Sequence, residues 1–437
     1  MWRRVKDDVF DPLWRIRLVD GPVPVILAVL AVVALALLVL LSPRRRRLPV
    51  LSAGLITAAT GSLLVWLLWD VLRVFAASPG LLTRIWIAIS LCGIGMLAGR
   101  VRHRGTPRRV TAIVLGASVF LVAGAVGANI ETGQFPAVGW LVGKTVFPDL
   151  ALPARIMATT GNTPSNWTQP PGLPRRGQVG RIPIPGLVSH FAVRDAIVYL
   201  PPAALVSHPP RLPVVVMLSG QPGIPSNMVT SVDMPAILDR FASAHRGLAP
   251  IVVIPDQLGS PHENPMCVDS PLGNSATYLS VDVPNWIRTH LNVLGDRDHW
   301  AIGGYSQGGT CSIQLGSRFP ELFGSILDIS GEIAPHRGSR EATIASGFRG
   351  SADAYDAAKP LSLIAKGAPY TDTLAIFAVG ATDAKYERYA DTLDNAAQQA
   401  GMRTMKLVAP QTGHDWLTVH YAIEHGVSVL CRNWNLE

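Results

Sequence analysis

The stretch Trp300-Ala301-Ile302-Gly303-Gly304-Tyr305-Ser306-Gln307-Gly308-Gly309 reads as a short apolar strand that runs into Gly-x-Ser-x-Gly. This pattern is typical of a nucleophile elbow, in which a serine lies on a sharp turn between a strand and a helix. Such a turn imposes strained backbone angles, so the positions beside the serine must be small, and Gly304 and Gly308 meet that need. Residues 310–318 then fit a helix that a proline ends. The context predicts that Ser306 is a nucleophile.

On both sides of the elbow, apolar runs alternate with helical patterns. Residues 191–200 form an extended segment, and the mostly apolar runs are 214–218, 251–254, 299–302, 325–329, 374–379 and 405–408. The helical patterns are 234–244, 276–291, 310–318 and 385–401. Apolar strands that alternate with helices imply a parallel sheet covered on both faces. The predicted fold class is therefore α/β, with an α/β-hydrolase domain of mostly parallel sheet over residues 187–437.

The serine requires a base and an orienting acid, because its hydroxyl is a poor nucleophile until its proton is removed. In this fold the acid and then the base follow the serine along the chain. Asp383 comes just after the strand 374–379, at its carboxyl end, and is the predicted acid. Asp328 and Glu332, near the preceding strand, are the alternatives. His414 follows the last strand on a glycine-containing loop and is the predicted base.

Stabilisation of an oxyanion requires preorganised backbone N–H donors. Gln307, directly after the nucleophile, is one predicted donor. The second is expected from the loop 219–223, which follows the strand 214–218. Because proline in this loop has no N–H, Gln221 or Gly220 is the candidate.

The first 132 residues contain four apolar runs, which predict an all-α membrane domain. Crossing a bilayer takes about 20 apolar residues, and the expected spans are about 22–42, 48–69, 81–99 and 110–128. A secretory signal peptide is the alternative for the first run, but that run is long and no small-x-small cleavage site follows it. Residues 133–186, rich in Pro, Gly and Trp, predict an extended linker with little core of its own.

Arginines predict the orientation of the spans, because cytoplasmic loops are enriched in Lys and Arg. Residues 44–47 are all arginine and five more arginines lie within 100–109, whereas the loop between spans two and three holds Arg73 and Arg84. The five basic residues of the N-terminal tail argue the other way. We predict a multi-pass plasma-membrane protein whose catalytic domain is extracytoplasmic.

The net charge and the spacing of potential metal-binding residues indicate which kinds of partner the protein binds. The net charge of +8 comes largely from the membrane-flanking loops. It therefore predicts contact with membrane lipids and no nucleic acid. No Cys/His cluster has zinc-ligand spacing and no glycine-rich phosphate loop occurs, so we expect neither a metal nor another cofactor.

From about residue 191 to its end, the chain resembles the esterase D-like family of α/β-hydrolases, which includes the secreted mycolyltransferases of actinobacteria. The resemblance is carried by Val198-Tyr199-Leu200-Pro201-Pro202, Val216-Met217-Leu218-Ser219-Gly220, Gly273-Asn274-Ser275-Ala276-Thr277-Tyr278-Leu279, the Ser306 elbow and Gly413-His414-Asp415-Trp416. It is similar above all to membrane-anchored actinobacterial members. The resemblance implies Ser306, Asp383 and His414 as the catalytic triad, while Gln221-Pro222 departs from the usual oxyanion loop.

Three cysteines lie in the C-terminal half, and the residues alone leave a disulfide or free thiols open. The resemblance implies a bridge between Cys267 and Cys311, which would brace the Cys267 loop against the nucleophile helix. Cys431 is then free, and Cys92, in the third apolar run, is expected to be buried in the membrane.

These observations predict a membrane-anchored serine esterase that hydrolyses or transfers acyl esters of lipids or small molecules in the cell envelope. Acyl transfer between envelope glycolipids is one alternative, which the resemblance to mycolyltransferases implies. A second alternative is a scaffold that keeps the hydrolase fold without catalysis. A third is transport or sensing by the four spans, with Asp70 as their acidic candidate.

Overall fold

The computed structural model describes residues 13, 16–19, 21–72, 80–100, 107–132, 137–138, 147–152, 162–261 and 263–437. The chain divides into two compact units, Met1–Val146 and Phe147–Glu437. Most of the basic N-terminal tail, Arg73 and two of the arginines within 100–109 lie outside the described residues. So do 133–136, 139–146 and 153–161 of the expected linker.

The described part of the N-terminal unit is built from long apolar helices. They are α1 (Pro22–Leu40), α2 (Arg44–Trp66), which a π-helical turn (Leu67–Val71) extends, α3 (Leu81–Ala98) and α4 (Pro107–Thr132). Their most apolar segments have mean hydropathies between 1.8 and 3.2, and each is long enough to cross a membrane. The prediction of an all-α region with four apolar helices is confirmed.

Helices α2 and α3 approach each other closely at glycines. A Cβ on Gly54 would lie 2.5 Å from Cγ of Met96, and one on Gly95 would lie 2.4 Å from Oγ1 of Thr57. Small residues at such positions let apolar helices pack without a hydrophobic driving force. Where this helix pair is linked, Arg84 donates to both carboxylate oxygens of Asp70, at 2.8 and 2.9 Å.

The C-terminal unit is built on an eight-stranded, mostly parallel sheet. Its strands, in the order in which they lie side by side, are β1 (Gln178–Ile182), β2 (Ala196–Leu200), β4 (Ile251–Ile254), β3 (Val214–Leu218), β7 (Trp300–Tyr305), β8 (Ser325–Ile329), β9 (Leu374–Gly380) and β10 (Arg403–Ala409). β1 and β2 run antiparallel to their neighbours, and the remaining pairs are parallel. A short hairpin of two strands with two residues each, β5 (Asp269–Ser270) and β6 (Gly273–Asn274), lies outside this sheet.

Helices cover both faces of the sheet, because its central strands are apolar along their whole length. In β3, Val214, Val216 and Leu218 enter one core, and Val215 and Met217 enter the other. The helices are α5 (Asn227–Thr230), α6 (Met234–Ala244), α7 (Ser275–Thr277), α8 (Val283–His290), α9 (Gln307–Arg318), α10 (Arg340–Gly347), α11 (Ala352–Ala357), α12 (Pro360–Gly367), α13 (Ala384–Gln399) and α14 (Trp416–Asn433). Helices α8, α9, α12 and α13 pack on the first core, and α5, α6 and α14 pack on the second. This arrangement confirms the predicted α/β fold class.

The segment 162–186 differs from the predicted linker, because it packs against the sheet. β1 pairs with β2 along five residues. Trp167 is buried and donates its indole N–H to the carbonyl oxygen of Arg246 at 3.0 Å. Ile184 is also buried in the first core. The C-terminal unit thus begins at Phe147 rather than at residue 187.

Candidate active site

Ser306 lies on the turn between β7 and α9 with φ 56° and ψ −113°. A positive φ is strained for a residue with a Cβ, and strain of this kind is concentrated at functional sites. A Cβ on Gly304 would lie 2.5 Å from the backbone of Gly308, and one on Gly308 would lie 2.5 Å from the carbonyl oxygens of Leu218 and Ser219. Both positions therefore require glycine, because the turn presses the start of α9 against the end of β3.

His414 lies within hydrogen-bond distance of the serine, with Nε2 2.9 Å from Oγ of Ser306. The histidine loop is fixed by Asp415, the N-cap of α14, whose carboxylate accepts from the N–H groups of Gly413 at 2.7 Å and Thr418 at 2.9 Å. Thr418 Oγ1 in turn donates to the carbonyl oxygen of Gly413 at 2.6 Å. The base is thus presented on a short, internally hydrogen-bonded loop.

Asp383 faces the other ring nitrogen of His414, with Oδ2 3.5 Å from Nδ1. Both atoms are buried, and neither has a hydrogen-bond partner among the described residues. The distance is longer than that of a good hydrogen bond. Oδ1 of Asp383 caps α13 by accepting from the N–H of Tyr386 at 3.3 Å. The carboxylate is therefore held in place while Oδ2 remains for the imidazole.

The loops that carry the acid and the base are joined to each other. Thr382 donates its N–H at 2.9 Å and its Oγ1 at 2.7 Å to the carbonyl oxygen of Thr412. A Cβ on Gly380, at the end of β9, would lie 2.4 Å from the carbonyl oxygen of Gly413. Because neighbouring parallel strands β9 and β10 end side by side, these contacts set the spacing between Asp383 and His414.

Two tyrosines pack against the imidazole of His414. The Tyr386 ring stacks on it at 4.0 Å between centroids with an interplanar angle of 21°, and the Tyr305 ring lies at 5.0 Å. Burial, with the nearby carboxylates of Glu332 and Asp383 adding to it, raises the pKa of Tyr386. The phenol therefore stays neutral and acts as a flat apolar wall for the imidazole.

The alternative acids have other surroundings. Asp328 is buried on β8, where its Oδ1 accepts from the N–H of Gly331 at 2.8 Å. Glu332 Oε1 lies 3.4 Å from the hydroxyl of Tyr386 and 3.8 Å from Nζ of Lys385. Among the described residues, Asp383 is the carboxylate that reaches Nδ1 of His414. No group of three His, Cys, Asp or Glu residues within the described ranges could hold a metal ion.

The predicted oxyanion donors come from two segments that meet at the nucleophile. The N–H of Gln307 lies at the first position of α9, where a helix leaves its backbone N–H groups without an intrahelical acceptor. In the loop 219–223, a Cβ on Gly220 would lie 3.6 Å from Cβ of Ser306, and the bond between Gln221 and Pro222 is cis. The loop therefore runs directly beside the nucleophile at Gly220, and Gln221 is the next residue of the loop.

The side chain of Gln307 points into the protein, where it is only 9% exposed. Its Nε2 donates to Oδ1 of Asn264 at 3.0 Å and lies 3.1 Å from Sγ of Cys311. Cys311 and Cys267 form a disulfide. The bridge links the loop before β5 to α9 one turn after the nucleophile.

Sequence analysis missed the polar residues that follow β4. Buried Gln257 donates to the carbonyl oxygen of Ser219 at 2.6 Å, and Asp256 forms a two-pronged ion pair with Arg194, at 2.6 and 2.8 Å. Arg194 also donates to the carbonyl oxygen of Gly223 at 3.2 Å, so both ends of the loop 219–223 are held. Polar residues directly after an apolar strand, at the carboxyl end of a parallel sheet, were the available signal.

The sheet order, the strained serine and the histidine beside it define an α/β-hydrolase. The chain belongs to the family described as "Putative esterase", which matches residues 193–425.

An uncharacterized protein of Corynebacterium glutamicum is 38% identical over 237 residues, which span 52% of this chain and 56% of that relative. The chain thus matches little more than half the length of this relative. A ferulic acid esterase is 18% identical with a TM-score of 0.50, and covers 59% of this chain and 98% of its own. An S-formylglutathione hydrolase from Agrobacterium tumefaciens is 20% identical with a TM-score of 0.49, over 60% and 96% of the two chains. At 18% identity, the ferulic acid esterase shows a shared fold.

Proposed function

We propose that this protein is a membrane-anchored serine esterase that cleaves carboxylic esters with Ser306, His414 and Asp383. The observation that carries the proposal is the 2.9 Å distance between Nε2 of His414 and Oγ of a serine held in an elbow. Membership of the esterase family supports the reaction class. A scaffold without catalysis has no need for this strained turn, which costs on the order of 1–3 kcal/mol.

The proposed reaction has two halves. His414 Nε2 takes the proton of Ser306 as Oγ attacks the acyl carbon, and the imidazolium is stabilised by Asp383. The negative charge on the acyl oxygen is held by the N–H of Gln307 and by an N–H of the loop 219–223, Gln221 or Gly220. His414 then returns the proton to the departing alcohol, which leaves an acyl-serine, and the same steps with water release the acid and free Ser306.

The proposed substrate class follows from the N-terminal unit. Four helices of sufficient length and hydropathy to cross a membrane precede the esterase unit. We propose that they anchor it at the outer face of the plasma membrane, where acyl esters of envelope lipids are the substrates within reach. Another alcohol in place of water as acceptor would give acyl transfer at the same site.

Labelling of the purified full-length protein with a fluorophosphonate tests the activated serine. We expect wild-type protein to be labelled and to hydrolyse p-nitrophenyl esters, and Ser306→Ala and His414→Ala to lose both activities. Ser362→Ala, which removes a hydroxyl on α12, is the control and should behave as wild type. A folded wild-type protein that neither labels nor hydrolyses these esters would overturn the proposal.

A further inference from the structure

Gln257 links the two segments from which the proposed oxyanion donors come. Its Nε2 donates to the carbonyl oxygen of Ser219 at 2.6 Å and to Oε1 of Gln307 at 3.1 Å. Ser219 begins the loop 219–223, and Gln307 directly follows the nucleophile. A single amide group therefore spans the gap between the two halves of the candidate oxyanion hole.

The cluster around Gln257 is anchored on its far side as well. Asn264 Oδ1 accepts from Nε2 of Gln307, and its Nδ2 donates to the carbonyl oxygen of His336 at 2.8 Å. The same Oδ1 accepts from the N–H of Met266 at 2.9 Å. The side chain of Gln307 is thus held by Asn264, and Asn264 is itself attached to the backbone of His336 and Met266.

The bridge is made at a cost in stability. Gln257 is fully buried, and its Oε1 has no hydrogen-bond partner among the described residues. A buried acceptor without a partner costs free energy that an apolar side chain of similar size would not cost. The amide is oriented so that its N–H groups bridge the two segments while its oxygen goes unpaired.

We propose that Gln257 is a positioning residue that sets the spacing between the N–H of Gln307 and the donor of the loop 219–223. The inference rests on the proposed esterase function. Oxyanion donors act at about 2.7–3.1 Å from the developing charge. A small shift of either segment therefore weakens binding of the transition state more than binding of the substrate. Gln257 itself touches the backbone of one segment and the side chain of the other, and not the reacting atoms.

The test compares Gln257→Leu and Gln257→Met with wild type in hydrolysis of p-nitrophenyl butyrate by the full-length protein in detergent. We expect kcat to fall about 10- to 100-fold with KM changed less than about threefold. The pH dependence of kcat should keep its midpoint, because the contacts of His414 are unchanged. Affinity for an alkyl boronic acid, which forms a tetrahedral adduct on the serine, should fall by the same factor as kcat.

Gln314→Leu is the matched control. Gln314 is also a buried glutamine whose Nε2 donates to one backbone oxygen, that of Ala358 at 2.8 Å, and whose Oε1 is unpaired among the described residues. It lies on the nucleophile helix α9, and its side-chain hydrogen bond goes to the C-terminal end of α11 rather than to the loop 219–223. We expect Gln314→Leu to change the melting temperature as much as Gln257→Leu does, while its kcat stays within about twofold of wild type.

The outcomes separate the two proposals. If wild type is active and folded Gln257→Leu and Gln257→Met keep kcat within about twofold of it, the positioning role is overturned. The proposed esterase function then still stands. Equal losses of kcat in the Gln257 and Gln314 variants also overturn it, because they point to stability. Wild type without turnover or serine labelling overturns both proposals.

Discussion

Asp383 and Glu332 are two carboxylates near the imidazole of His414, and their contacts assign them different roles. Asp383 Oδ2 faces Nδ1, whereas Glu332 lies near Lys385 and the hydroxyl of Tyr386. We expect Asp383→Asn to lower kcat by about 10³-fold or more, because the amide no longer stabilises the imidazolium or fixes its tautomer. Ester hydrolysis by the purified variants measures this. Glu332→Gln is the control, and a larger loss in Glu332→Gln than in Asp383→Asn would reverse the assignment.

Asp328 gives the stability of the C-terminal unit a pH dependence. Burial raises the pKa of this carboxyl from 3.8 to about 7, and the hydrogen bond from Gly331 only partly opposes that. Between about pH 4 and pH 7, the folded protein keeps a proton on Asp328 that the unfolded chain has already released. The free energy of unfolding therefore falls as the pH rises through this window.

We expect Asp328→Asn to flatten this dependence, because the amide oxygen still accepts from the N–H of Gly331 and no longer titrates. Melting temperatures at pH 5, 6, 7 and 8 measure the difference in slope. Asp353→Asn, which alters an exposed acid in the first turn of α11, should keep the wild-type slope. Parallel curves for wild type and Asp328→Asn would contradict the raised pKa.

At the scale of elements, the junction of β7 with α9 is set by backbone contact. Gly308 leaves no room for a Cβ against Leu218 and Ser219. We expect Gly308→Ala to destabilise the protein by about 1–3 kcal/mol and to reduce fluorophosphonate labelling, because α9 must shift away from β3. Gly295→Ala is the matched control, since no atom lies within 4 Å of the added Cβ. Thermal melting and labelling of both variants measure this, and equal behaviour would contradict it.

The disulfide between Cys267 and Cys311 closes a loop with a sequence separation of 44 residues. Chain-entropy arguments give such a bridge a stabilisation of about 4 kcal/mol. We therefore expect dithiothreitol to lower the melting temperature of wild type but not that of the Cys267→Ala/Cys311→Ala variant. The Cys431→Ala variant, which removes a buried free thiol, should still respond to the reductant as wild type does. A melting temperature of wild type that dithiothreitol leaves unchanged would count against a stabilising bridge.

Seven of the eight strands of the sheet could be predicted from the sequence, because each contains a run of mostly apolar residues. β1 could not be, since Gln178-Val179-Gly180-Arg181-Ile182 is an edge strand with half-buried polar residues. The burial of Trp167 also has no local signal, because it depends on Arg246, 79 residues away.

The candidate site divides in the same way. Ser306, Asp383 and His414, predicted from chain order and strand ends, lie together in the structure. Gln257 has partners 38 and 50 residues away in the sequence, and its role as a bridge exists only once β3, β4 and β7 are adjacent. Local sequence patterns indicate the candidate reacting residues. The order of strands in the sheet decides which other residues position them.

At the scale of the whole molecule, the proposed orientation places the arginine-rich loops in the cytoplasm and the C-terminal unit outside the cell. We expect a cysteine in place of Leu187, which is 75% exposed, to react with a membrane-impermeant maleimide in intact cells. A cysteine in place of Arg45 should react only after permeabilisation. Wild type supplies the background from Cys92 and Cys431. Labelling of the Arg45 variant and not the Leu187 variant in intact cells would invert the topology.

The position of β1 at one edge of the sheet has a mechanical consequence. The chain enters the sheet at this edge, and the acid and base are carried at the ends of β9 and β10, the last two strands at the opposite edge. A force applied to the chain before this unit would act first on the segment around buried Trp167 and then on β1, whose pairing with β2 spans five residues. Asp383 and His414 lie at the far edge, so we expect the strands that carry them to keep their register while the attachment at β1 yields.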